Sequence, residues 1–135
     1  MRRSLNPTGT IVTIAAVLAV TTGCATESLR TPPLQHVVLV DLADDGDIPA
    51  MKAASDAVLP RIATVRGYAC GRPVDIGRTN VSNDYDLGIV VQFDSVDAYR
   101  AYLVDPLHVR LVEEWKPRWK RAFIVDFSPD APPAR

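Results

Sequence analysis

The sequence has little of what most catalytic and binding signatures are built from. It holds two cysteines and two histidines in 135 residues. Two thiols, Cys24 and Cys70, are too few for a disulfide framework. There is no HxH or HExxH arrangement, so no metal site is expected. Asp44, Asp45 and Asp47 do not follow the spacing of an EF-hand loop. A Gly-rich phosphate loop and a serine elbow are also missing, and no cofactor is expected. Charge of one sign is missing as well. The formal net charge is -1, and the one basic cluster, Lys116, Arg118, Lys120 and Arg121, follows Glu113 and Glu114. That dispersal excludes the concentrated positive field of a nucleic-acid binder.

What is present is ordinary for a small folded protein. Hydrophobic residues make up 47% and charged residues 23%, which argues against wholesale disorder and for a single domain. The first residues read as an address. Arg2 and Arg3 precede an apolar run from Ile11 to Val20, which is too short to span a bilayer comfortably, and Gly23-Cys24 follows. Residues 1–23 are therefore expected to be a signal peptide. Cys24 is the expected lipidation site, and 24–34 form a short tether to a membrane facing the periplasm or the outside. The alternatives are a soluble periplasmic or secreted protein and an uncleaved anchor. With Cys24 acylated, Cys70 has no partner within the chain.

The body, residues 35–128, shows alternating element signals. His36 to Asp41 is rich in β-branched residues and predicts a strand. Met51, Ala54, Val58 and Ile62 recur at helical spacing over 49–64, with Pro49 suited to the first turn and Pro60 disturbing the end. A short strand is expected near Tyr68 to Cys70, a loop over 71–84, and a strong strand over Asp86 to Phe93. Ser95 suits a helix cap, with Val96, Tyr99 and Leu103 on the expected buried side. Asp105-Pro106 restarts the helix. Leu107, Leu111, Trp115 and Trp119 lie four apart as one expected stripe, with Pro117 bending it. Ala122 to Phe127 predicts the last strand, and 129–135 a disordered tail.

The order β-α-β-β-α-β defines an α/β (α+β) fold, a ferredoxin-like split arrangement with a four-stranded antiparallel sheet. The strands carry apolar residues on both sides. Val37 and Leu39 oppose Val38 and Val40, and Val90 opposes Leu87, Ile89, Val91 and Phe93. Two helices cover only one face, so the other needs a second cover, and a homodimer through the open sheet face is expected.

Four segments carry a resemblance. His36-Val-Val-Leu-Val, Tyr85 to Phe93, Ala98-Tyr-Arg-Ala-Tyr-Leu-Val-Asp-Pro-Leu-His108 and Ala122 to Phe127 resemble the stress-responsive dimeric α/β-barrel (Dabb) domain. The resemblance implies a dimeric α/β barrel built from two sheets. It does not imply one activity, since one plant member is a polyketide cyclase and many members have no assigned reaction. By position in the motif, the cyclase's tyrosine and histidine correspond to Tyr102 and His108. A further histidine of the cyclase falls at Leu87, and the family's usual histidine before the proline is Asp105.

His108 and Tyr102 are accordingly the catalytic candidates. A neutral histidine takes a proton near neutral pH, and a phenol orients it or stabilises a developing enolate. The competing reading is structural, with His108 pinning the helix start and Tyr102 packing at a rim. A ligand pocket would draw on His36, Tyr99, Leu87, Trp115 and Trp119. Three functions remain open at this point. The leading one is a membrane-tethered dimeric domain that binds a small hydrophobic or aromatic ligand, or serves a stress-associated role, without catalysis. The second is a cofactor-free cyclase- or lyase-like enzyme with His108 as general base and Tyr102 assisting. The third is a structural or assembly module.

Overall fold

The computed structural model describes residues 34–129. The signal-peptide, lipidation and tether expectations on 1–33, Cys24 included, and nearly all of the expected tail lie outside the described residues. No helix among the described residues is long and apolar enough to cross a membrane.

Strand β1 (Leu34–Leu42) leads into helix α1 (Ile48–Val58), with Pro49 in its first turn, where a missing N–H costs nothing. Pro60 ends the α-helical pattern early, and the chain continues as a 3-10 turn over Leu59–Arg61. Strands β2 (Gly67–Gly71) and β3 (Leu87–Phe93) follow, joined by an irregular loop. Helix α2 (Val96–Leu103) is capped by Ser95, whose hydroxyl accepts from the Ala98 N–H, and helix α3 (Pro106–Trp115) by Asp105, which accepts from the Leu107 N–H at 2.8 Å. Strand β4 (Trp119–Phe127) closes the order.

The sheet is antiparallel with strand order β2-β3-β1-β4. This overturns the expected barrel: among the described residues β2 and β4 are the edges of the sheet, and the four strands form an open sheet rather than a closed one. Closure needs the last strand to pair with the first of the row, and here β2 pairs only with β3.

Two local expectations are also corrected. The Leu107-to-Trp119 stripe is not one helix. Pro117 sits in a 3-10 turn over Lys116–Arg118, and Trp119 is already the first residue of β4. On α2 the buried position is Tyr102, whereas Val96 and Leu103 are exposed. The helix lies on the sheet through Ala98, Tyr99 and Tyr102.

Both faces of the sheet are apolar, as the alternation requires. Leu34, Val38, Val40, Leu87, Ile89, Val91 and Phe93 point toward the helices and form the core with Met51, Leu59, Ile62, Tyr102 and Trp115. The other face presents Val37, Leu39 and Val90 with the β4 side chains Phe123, Val125 and Phe127. Phe123 is 61% exposed and Phe127 54%.

A register shift modifies β4. Up to Asp41↔Arg121 the pairing is regular, but Leu42 pairs with Trp119, so Lys120 is an extra residue on β4. Such a bulge re-aims the side chains before it. Without it Trp119 would share the open face with Phe123, and with it Trp119 joins the helix side opposite buried Leu42. Lys120 and Arg121 both turn toward Asp41, at 3.2 and 3.8 Å.

Candidate functional site

The helices lie over β2, β3 and β1 and leave the helix side of β4 uncovered, which is why even Ala122 and Ile124 are exposed there. Between that strand and α2–α3 lies a cavity of about 570 Å³. Its wall is largely apolar, with Val38, Ile89, Leu111 and Ile124 among the lining residues. The size and character suit a small organic ligand.

Six of the residues singled out in the sequence meet at this cavity: His36, Tyr99, Tyr102, His108, Trp115 and Trp119. Leu87 does not. It is fully buried in the core on β3 and is not among the lining residues. Among the described residues no group of three potential metal ligands is found.

Tyr102 stands at the centre of an aromatic cluster. Its ring centroid is 4.2 Å from that of His108, 4.9 Å from Phe93 and 6.0 Å from His36, the last edge-on. Burial pushes the Tyr102 phenol well above its ordinary range, so it stays protonated and available as a donor. The break at Asp105-Pro106 is what allows this pairing. α2 ends at Leu103, α3 restarts at Pro106, and the reversal brings His108 back over the Tyr102 ring.

His108 is held by its own turn. Its Nδ1 lies 3.3 Å from the carbonyl oxygen of Leu103. A carbonyl only accepts, so Nδ1 carries the hydrogen and Nε2 keeps its lone pair. Burial is the main force on this imidazole and lowers its pKa; the nearby His36 acts in the same direction, against the Leu103 carbonyl, which raises it. The ring is therefore neutral at pH 7, with a basic nitrogen free.

His36 has a different setting. Its Nδ1 lies 2.6 Å from Asp126 Oδ1 and 3.0 Å from the Tyr99 hydroxyl. The Tyr99 hydroxyl in turn donates to Asp126 Oδ2 at 3.0 Å. Asp126 is the functional candidate that sequence reasoning missed. Its signal was there: alternation along β4 places an acidic residue on the same side as Ile124, opposite His36 in the pairing. Burial raises the Tyr99 phenol above its ordinary range, and the adjacent carboxylate adds to the effect.

Two further polar atoms matter. The indole nitrogens of Trp115 and Trp119 are buried and have no hydrogen-bond partner among the described residues. Buried donors of this kind are uncommon, and each costs stability.

This geometry is that of a ferredoxin-like α+β domain with a ligand-sized cavity under its helices. The family model described as the Stress responsive A/B Barrel Domain (Dabb) matches residues 34–129, and the chain belongs to that family. The match begins where the described residues begin and lends no support to the export and lipid-anchor expectations. No curated protein matches the chain.

Among solved structures, a dimeric ferredoxin-like protein of unknown function from Thermobifida fusca is similar at 23% identity and TM-score 0.61, covering 75% of this chain and 96% of its own. The hydroxynitrile lyase of Passiflora edulis matches at TM-score 0.64 and 11% identity, over 77% of this chain and 100% of that one. SnoaB, a cofactor-independent oxygenase from Streptomyces nogalater, matches at TM-score 0.55 and 13% identity, over 73% and 94%. At these identities the likeness is one of fold.

Proposed function

We propose that the chain is a cofactor-free enzyme of acid–base chemistry on a small, largely apolar carbonyl compound, with His108 as general base and Tyr102 assisting. This is the second of the three functions weighed from the sequence, and it now stands ahead of ligand binding without catalysis. The observation that carries it is the locked His108 ring: neutral, hydrogen-bonded through Nδ1 to Leu103, and in ring contact with Tyr102 on the wall of an apolar cavity. His108 Nε2 takes the proton from a carbon next to the carbonyl. The protonated Tyr102 phenol donates to the oxygen on which charge develops. A hydroxynitrile lyase and a cofactor-independent oxygenase are built on this fold, so the architecture is compatible with catalysis.

The test is proton exchange. Incubated in D₂O with aryl methyl ketones and with cyanohydrins of aromatic aldehydes, the purified protein is expected to exchange or cleave at least one of them. His108→Ala is expected to lose about 100-fold or more of the rate, the usual weight of a general base. Equal rates in the two proteins return the cavity to simple ligand binding.

We infer further that the working unit is a homodimer through the open sheet face. The support is the exposed apolar surface of Phe123, Val125 and Phe127 beside Val37, Leu39 and Val90, together with the dimeric state of similar proteins from Thermobifida fusca and Bacteroides fragilis. Light scattering at micromolar concentration is expected to give twice the chain mass, and a monomer would refute the assignment.

A further inference from the structure

The two histidines of the cavity are held in unlike ways, and the difference assigns them unlike tasks. His108 is bound through Nδ1 to a neutral carbonyl, and its ring lies against a neutral phenol. His36 is bound through Nδ1 to a carboxylate, and that carboxylate is fixed from its other oxygen by Tyr99. The carboxylate only accepts, so His36 Nδ1 must donate to it. The phenol hydrogen goes to Oδ2, and both hydrogens of the cluster are then placed. Nε2 is left as the ring nitrogen available to the cavity that His36 lines. Asp126 is partly open to solvent at 44% side-chain exposure while His36 is almost wholly enclosed at 6%, so the order from outside inward is carboxylate, imidazole, cavity. A carboxylate behind an imidazole holds its tautomer and its orientation.

We propose that His36 is the general acid of the reaction that His108 begins as base, with Asp126 and Tyr99 as its positioning residues. This rests on the catalytic reading of the cavity given above. In the step, His108 Nε2 takes the proton from the carbon beside the carbonyl. The C–H electron pair becomes the new C=C bond, and the carbonyl π pair moves to oxygen. That oxygen takes the Nε2 proton of the His36 imidazolium, with Tyr102 between the two rings donating to it. One histidine gains a proton and the other loses one, so charge is conserved and no co-reactant is needed. The imidazolium's remaining Nδ1–H stays on Asp126 throughout.

The decisive variant is Asp126→Asn. It keeps the shape of the side chain but removes its charge and offers an N–H where only an acceptor stood. With deuterium exchange of an aryl methyl ketone as the assay, kcat is expected to fall about 100-fold while KM stays within about twofold. Asp126→Glu is expected to recover part of the loss, which a purely structural carboxylate would not show. Tyr99→Phe keeps the ring and removes only the hydroxyl. It is expected to cost about tenfold in kcat and serves if the Asn variant does not fold. Wild-type kcat in both variants, with His108→Ala inactive, would overturn the role of His36 and leave His108 standing. Activity that survives His108→Ala, or no exchange by the wild type, would overturn both.

Discussion

The two faces of the sheet come from the same four strands and meet opposite fates. On one face Val40, Leu87, Val91 and Phe93 are fully enclosed by the helices. On the other, Phe123 and Phe127 stand largely open although they are no less hydrophobic. Burial here is decided by which strands the helices reach and not by composition. α1, α2 and α3 spread over β2, β3 and β1, so β4 is uncovered on both sides. The uncovered strip next to α3 becomes a cavity, and the uncovered strip on the far side becomes a surface for a second copy. One shortage of helical cover thus creates both the candidate site and the candidate interface.

The contrast can be broken first in the core. Phe93→Ala removes a fully enclosed ring and is expected to lower stability by about 3–5 kcal/mol, measured by chemical denaturation. Phe123→Glu, on the open face, is expected to leave the fold intact while halving the mass seen by light scattering. A stable dimer of that variant would show that the open face is not the interface. A smaller effect separates the cavity side by pH. Because burial lowers the His108 pKa, the unfolded chain binds that proton more readily than the folded one. The stabilising contribution of a neutral His108 is therefore complete above its ordinary pKa of 6.5 and is lost as pH falls below it. Thermal unfolding at pH 5 and pH 8 is expected to show a smaller acid penalty in His108→Gln than in the wild type. The smallest expected effect is at the start of α2, where Ser95→Ala removes the cap on the Ala98 N–H and is expected to cost about 1 kcal/mol.

The order of elements was legible because each strand and helix carries its own period, and Ser95 and Asp105 act as caps where the sequence places them. The open sheet was not legible. Closure depends on which strands become edges, a property of pairing between distant segments that no local pattern encodes. The helix ends were blurred for a related reason. Pro60 and Pro117 each allow one more 3-10 turn before the chain leaves, so the apolar spacing runs past the true α-helix. At the site, Tyr102 and His108 were visible through a motif, and their ring contact depends on a reversal that the motif only hints at. Alternation along β4 marks Asp126 as an acidic residue on the helix side, but its partner His36 lies ninety residues away in the chain. Only the β1–β4 register sets them opposite each other.

The extra residue at Lys120 has a consequence of its own. A strand assigns its side chains alternately to two sides, and Lys120 shifts that assignment by one step partway along β4. Upstream of the step the strand lends Trp119 to the cavity, and downstream it lends Phe123, Val125 and Phe127 to the opposite surface. Pairing the same residues without the bulge would restore plain alternation and carry Trp119 through the sheet to the other side. The pocket would then lose a wall and the outer surface would gain an aromatic ring. Deleting Lys120 itself would instead leave Trp119 opposite Leu42 on the cavity side, so the bulge lets the strand carry one more cation beside Asp41 without giving up that wall.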